Sequence, residues 1–247
     1  MPPSVVAELR MARFGSFGQR PAPCVSHTYS LVTVLQTDLA GFTAFSRNRR
    51  PEEVLRVLDG LFGVFDSLAK EHHVYKMETI GDAYICVSGL PDYNDGRHSA
   101  CLMLLVATEF VSAVARFQDS HSLPLDLSLR AGLHSGPGVG GVVGTAMQRY
   151  HLFGQTVRIA EVLEATAPRN SIHLSKATWD QYASELELGA ALLPEATLAA
   201  ARELQFEELD QSGGLTTSKG ELIEPEAIGG LSTFLVRRPA RAPGGQP

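Results

Sequence analysis

Cysteine is scarce in this 247-residue chain: Cys24, Cys86 and Cys101 are the only three, and they have no metal-ligand spacing. An odd number of widely separated cysteines excludes a disulfide framework and a zinc site, and reads as reduced cytosolic thiols. No run of 18 apolar residues occurs, so no membrane segment is expected in this chain. The first residues lack a basic region followed by an apolar stretch, so no signal peptide is expected. Positive charge is not in excess: 21 Lys and Arg face 27 Asp and Glu, for a formal net charge of −6. That balance argues against a protein that coats nucleic acid, but leaves room for a phosphate ligand, which needs only local positive charge and metal. Internal repeats are absent. A hydrophobic content of 44% and a charged content of 19% exclude wholesale disorder. The length suits one large α/β domain as well as two small ones.

The periodic signal begins at Leu31. Residues 1–30 hold one short helical patch, Ser4–Arg10, then Gly, Pro and Ser punctuation, and read as a leading segment with little core of its own. Leu31–Gln36 is an apolar, β-branched run, hence a buried strand. Pro51–Lys70 predicts a helix: Pro51 suits its first turn, Glu52 and Glu53 its positive end, and Val54, Leu58, Leu61, Phe65 and Leu68 form one stripe. Val74–Glu78 and Tyr84–Ser88 flank Thr79–Ala83, a hairpin with a Gly-Asp turn. A helix over Arg97–Phe117 and strands over Leu125–His134 and Val139–Val143 follow. Then come a helix (Thr156–Thr166), a strand (Ser171–Leu174), helices over Lys176–Leu186 and Leu192–Leu204, and a closing strand, Leu231–Val236. The order strand, helix, hairpin, helix, strand predicts an α/β sandwich of ferredoxin-like βαββαβ type. Glu187–Ile228 would be a C-terminal elaboration, residues 31–236 one domain, and residues 237–247 a disordered tail.

Two aspartates stand where chemistry is expected. Asp38 ends the first strand, and Asp82 sits in the hairpin turn. If that strand lies beside the hairpin, both carboxylates converge at one sheet edge. Paired carboxylates plus a backbone carbonyl suit Mg²⁺ when substrate phosphates fill its other positions. Gly41-Phe42-Thr43 would open the next segment with free N–H groups that suit an anion. Taken singly, each aspartate reads as an ordinary cap or turn residue.

Four motifs in register add to that reading: TDLAGFTAFS, YKMETIGDAYICVSGLP, LRAGLHSGPGVGGVVG and RYHLFGQTV. With them the chain resembles the catalytic domain of class III nucleotidyl cyclases, especially eukaryotic guanylate cyclases, over roughly Pro2 to Val236. The resemblance implies that Asp38 and Asp82 bind two Mg²⁺ or Mn²⁺ ions together with the Leu39 carbonyl. It implies that Gly41, Phe42 and Thr43 hold the β- and γ-phosphates, and that Arg130 reaches the terminal phosphates. The reaction implied is attack of the ribose 3′-hydroxyl on the α-phosphate of GTP, with pyrophosphate leaving. Glu78 matches the position that reads the guanine edge, where a carboxylate accepts from N1–H and N2–H₂. His151 matches the second base-reading position, which is usually Cys in guanylate cyclases. The residues alone also allow a surface carboxylate at Glu78 and a satisfied core histidine at His151.

The pattern breaks after Phe153-Gly154. Arg158 stands where the family keeps an Asn that orients the ribose, and Val162 where it keeps an Arg that stabilises the transferring phosphate. A phosphate-contacting Lys is missing before Ser232, where Glu226–Gly230 stands instead. In this family the site lies at a dimer interface, with metal and phosphate residues from one chain and base-reading, Asn and Arg residues from the other. This chain keeps the first set and lacks key members of the second. It therefore resembles the metal-carrying half of a heterodimer, such as the first catalytic domain of mammalian adenylate cyclases or the α subunit of soluble guanylate cyclase. A partner cyclase domain and GTP are thus the expected partners. Other readings are a catalytically silent module for dimerisation or nucleotide sensing, an adenylate cyclase half-site, and a weak homodimer in which Arg158 serves from a shifted position. Pro2–Leu9 resembles the family's usual start after an upstream segment, so the expected setting is the cytoplasm, alone or within a larger sensor-linked or membrane-bound protein.

Overall fold

The computed structural model describes residues 1–15, 25–93, 99–120, 126–144, 148–189, 194–210, 214–224 and 232–237. Cys24, Arg97, Leu125, the Glu226–Gly230 stretch and nearly all of the tail lie outside them. Helix α1 (Pro3–Gly15) precedes strand β1 (Ser26–Ala40), the short α2 (Phe42–Arg47), α3 (Pro51–Glu71), the hairpin β2 (Tyr75–Ile80) and β3 (Ala83–Ser88), α4 (Ser99–Ser120) and β4 (Ser128–Val143). There follow β5 (Arg149–Phe153), α5 (Gln155–Thr166), β6 (Ser171–Ser175), α6 (Lys176–Leu188), α7 (Glu195–Arg202), β7 (Gln205–Asp210), β8 (Leu215–Thr216), β9 (Leu222–Ile223) and β10 (Ser232–Arg237).

The main sheet runs β2-β3-β1-β4-β6-β10-β7, with β5 paired to the distal part of β4. Its first four strands are the expected βαββαβ core. β1 starts at Ser26, ahead of the expected Leu31, and Asp38 lies within it, not at its end. The reason is its partner: β4 is as long as β1, and their ladder runs on to Ala40↔Ser128. The two strands expected over Leu125–His134 and Val139–Val143 are one strand, β4, continuous through its glycines.

Strand alternation sorts side chains to two covered faces. Leu35 and Leu39 of β1, with Leu129, Ala131 and Leu133 of β4, pack with α3, α4 and α6 in the larger core. Val32 and Val34 face the second core, which takes Val5 from α1 and Ala160 from α5. The leading segment therefore does contribute to the core. In α3 Pro51 opens the first turn, and the Arg50 amide donates to Glu53 at 3.2 Å. Its buried line is Val57, Leu61, Phe65 and Ala69, a slight rotation of the expected stripe. Helix α4 is long and apolar enough to cross a membrane by length and composition. Here it lies in the core: α3, α6 and the sheet cover it, and Cys101, Met103, Leu104 and Phe110 are fully buried. Cys86 and Cys101 are free and buried.

Helix α5 sits unusually close to β4. A methyl group at Gly132 would lie 2.2 Å from both the Ala160 carbonyl oxygen and the Glu164 amide nitrogen. Glycine is needed there for the contact alone. Gly132→Ala is expected to destabilise the protein by about 2 kcal/mol or more, because the helix backbone must move to admit the methyl group. Chemical denaturation measures this; an unchanged midpoint and slope would contradict the packing.

Candidate active site

The site follows from the β1–β4 ladder. Asp38 and Arg130 are register partners, and alternation puts both on the face that carries Gly132 and α5. The pairing Thr37↔Tyr84 runs the hairpin turn alongside Asp38 and Leu39, bringing Asp82 to the same edge. The two aspartates are electrostatic neighbours. Burial raises the pKa of Asp82, the charge of Asp38 raises it further, and Arg130 partly offsets both. Leu39 sends its side chain into the core and leaves its backbone at this edge.

Arg130 is held from three sides. Its Nη2 donates to Asp38 Oδ2 at 2.5 Å and stands 3.1 Å from Glu164 Oε1. Its Nη1 donates to Ser218 Oγ at 2.5 Å. The Glu164 contact is an ion pair by distance without hydrogen-bond alignment: Glu164 Oε1 and Arg130 Nε are buried without a hydrogen-bond partner among the described residues. Burial is the main reason that the Glu164 carboxyl is pushed up from 4.5 to about 7; Arg130 opposes it, and Asp38 and Asp82 add to it. Sequence reading missed Glu164. The signal was a carboxylate on the buried stripe of α5 with Thr156, Ala160 and Leu163.

Gly41 has φ +94°, a left-handed conformation suited to glycine, and caps α2. Phe42 packs against the larger core, so only its backbone faces the site, and Thr43 is exposed. The first N–H groups of α2 have no partner within the helix. Beside them a cavity of about 440 Å³ is lined by Gly41, Arg130, Arg169 and Thr216–Ser218.

The two positions expected to read the base also meet. Glu78 on β2 and His151 on β5 share a cavity of about 400 Å³, with Oε1 and Nδ1 3.9 Å apart. His151 is half-buried and lines this cavity, unlike the core histidines His134 and His173. Arg158 and Val162 lie elsewhere. They are one turn apart on α5, and Val162 is about 200° around the helix from Glu164 at 100° per residue. Arg158 is exposed and Val162 half-buried. Thus α5 gives its inner face to this chain's acidic cluster and its outer face to whatever packs on it.

Among the described residues no group of three His, Cys, Asp or Glu side chains is arranged to hold a metal. The fit to a divalent cation rests on the donors at the sheet edge. Asp38 and Asp82 offer hard carboxylate oxygens that repel one another, and substrate oxygens and water would complete the shell.

Glu164 gives a pH test. Its folded pKa of about 7 exceeds the usual 4.5, so the native state binds the proton more tightly. The stabilisation is complete below about pH 4.5 and is lost as pH rises through 7. In metal-free buffer, wild-type stability relative to Glu164→Gln is expected to fall by about 3 kcal/mol between about pH 4.5 and pH 8. Parallel pH profiles of the two proteins, followed by denaturation, would contradict the buried acid.

Residues 24–190 match the family model described as the adenylate and guanylate cyclase catalytic domain. The chain is 40% identical over 178 residues to retinal guanylyl cyclase 1 of Bos taurus, and 42% identical over 178 residues to guanylate cyclase D of Mus musculus. Each alignment covers 72% of this chain, which spans about 15% of the length of these curated relatives. Among solved structures, the guanylate cyclase domain of RhGC from Catenaria anguillulae, in complex with GTP, superposes with a TM-score of 0.64 at 25% identity, covering 85% of this chain and 98% of that one. The adenylyl cyclase CyaB from P. aeruginosa shares the fold with a TM-score of 0.69 at 16% identity, covering 89% and 100%. The mixed sheet with helices on both faces is therefore the class III cyclase fold, and the chain belongs to the adenylate and guanylate cyclase catalytic domain family.

Proposed function

We propose that this chain converts GTP to 3′,5′-cyclic GMP and pyrophosphate as the metal-carrying half of a dimeric guanylate cyclase. The observation that carries this reading is the sidedness of the molecule. Asp38, Asp82 and Arg130 gather at one sheet edge, whereas Arg158 and Val162 occupy the outer face of α5. Asp38, Asp82 and the Leu39 carbonyl would hold two Mg²⁺ or Mn²⁺ ions. Bound there, the cations would neutralise the triphosphate and acidify the ribose 3′-hydroxyl. Arg130 binds the terminal phosphates as a delocalised, permanently charged donor. The backbone of Gly41, Phe42 and Thr43 donates to the same phosphates. The 3′-oxygen attacks the α-phosphorus, the bond to the β-phosphate oxygen breaks, and the 3′-hydroxyl proton passes to solvent.

The remainder comes from a second cyclase domain. Valine cannot stabilise charge on a transferring phosphate, and losing one such contributor typically lowers the rate by about 10²–10³. In a heterodimer Glu78, His151, Arg158 and Val162 line the second, degenerate pocket, and the partner sets base preference. The similarity to guanylyl cyclases supports guanine as the base and a cytoplasmic setting within a longer signalling protein. Val162 also supports a second reading, a catalytically silent dimerisation or nucleotide-sensing module.

Supplying the purified chain with Mn²⁺ and either GTP or ATP separates these readings. The wild type is expected to form cyclic GMP slowly and no cyclic AMP. Arg158→Asn/Val162→Arg is expected to raise the rate about 10²-fold or more, and Asp38→Ala to abolish it. A wild-type rate equal to that of the double variant contradicts the half-site reading. A silent double variant supports the silent module.

A further inference from the structure

The β8–β9 hairpin belongs to the C-terminal elaboration and has no part in the reaction described so far. It is a small, well-fastened unit. Leu215↔Ile223 and Thr216↔Leu222 pair across it, and Leu215 is buried. Its turn is closed by Thr217 N–H to the Glu221 carbonyl at 2.8 Å, Gly220 N–H to the Thr217 carbonyl at 2.9 Å and Glu221 N–H to Thr217 Oγ1 at 3.1 Å. Ser218 N–H donates to the Ala165 carbonyl at 3.0 Å, pinning the turn to the last turn of α5, where helix carbonyls lack helical partners. Ala165 adjoins Glu164, so the anchor lies beside the acidic cluster.

The pinned turn presents Ser218 Oγ to Arg130 Nη1 at 2.5 Å. Thr216, Thr217 and Ser218 wall the 440 Å³ cavity that Arg130 and Gly41 also line. Asp38 and Glu164 draw Nη2 inward and offset its charge. The Ser218 hydroxyl is neutral, so it fixes Nη1 at the cavity wall and leaves the positive charge available. A guanidinium held at both terminal nitrogens has already lost its rotamer freedom, so a ligand need not order it.

We propose that the β8–β9 hairpin is a strap over the phosphate end of the site, and that Ser218 is a positioning residue that aims Arg130 at the terminal phosphates of the nucleotide. This rests on the reading of Arg130 as a phosphate-binding residue. The test is calorimetric titration of the full chain with GTP and with guanosine monophosphate, both with Mn²⁺. Ser218→Ala is expected to weaken GTP binding about five-fold, as for one ordinary hydrogen bond, and to leave the monophosphate unchanged. Ser218→Thr, which keeps the hydroxyl, is expected to restore GTP affinity. In an Arg130→Ala background Ser218→Ala is expected to have no further effect. If Arg130→Ala weakens GTP binding and Ser218→Ala does not, the strap is overturned and the phosphate site stands. If Arg130→Ala leaves GTP affinity unchanged, the phosphate-site reading fails and the strap fails with it.

Discussion

The close approach of α5 to β4 over Gly132 is the constraint on which the site depends. It sets the depth at which Glu164 is buried and so brings a third carboxyl to Asp38 and Asp82. Three acidic groups then share one guanidinium. Burial first, and the neighbouring carboxylates second, make Asp82 and Glu164 hold protons more tightly than free carboxyls do, and Arg130 offsets this only in part. On the proposed reading, a divalent cation held by Asp38 and Asp82 would relieve the repulsion that one guanidinium leaves. Arg130 must then, on the same reading, choose between its carboxylate partners and an incoming phosphate.

The same helix explains the division of labour. An α-helix against a sheet has one face turned to its own core and one turned away. In α5 the inner face, with Thr156, Ala160, Leu163 and Glu164, builds this chain's own site. The outer face, with exposed Arg158 and half-buried Val162, is the side that a docked domain would meet. Changes at the outer positions therefore leave the fold and the acidic cluster intact while removing what the chain would lend to a partner. On the proposed half-site reading, such a loss is tolerated in one of two unlike subunits. The formal net charge of −6 fits the same picture, because charge for a nucleotide triphosphate would come from cations at Asp38 and Asp82 and from Arg130 beside them.

Much of this was legible in the sequence. The β-branched run at Leu31, the Pro51-Glu52-Glu53 helix start and the Gly81-Asp82 turn each carry a local signal, and together they give the βαββαβ order. The convergence of Asp38 and Asp82 followed from that order. The continuity of β4 was hidden because its glycine run, Gly136 to Gly141, has no apolar alternation. It is a strand because β1 and β5 satisfy its backbone. The hairpin and β7 in the elaboration were missed because their short, Glu- and Gly-bearing segments give no periodic pattern. Glu164 and Ser218 were missed for a different reason. Their partner, Arg130, is 34 and 88 residues away, and a long-range contact of a common side chain leaves no mark on local sequence.

On the half-site reading, this chain supplies metal and phosphate binding and lacks the groups that stabilise the reacting phosphate. The most direct measurement is cyclic GMP formation by this chain mixed with a guanylate cyclase domain that keeps the Asn and Arg but has both metal aspartates changed to alanine. The chain alone is expected to be slow and the aspartate-less domain alone inactive, and the mixture is expected to be faster than either by about 10²-fold or more. A chain that is as fast alone as in the mixture would contradict the account.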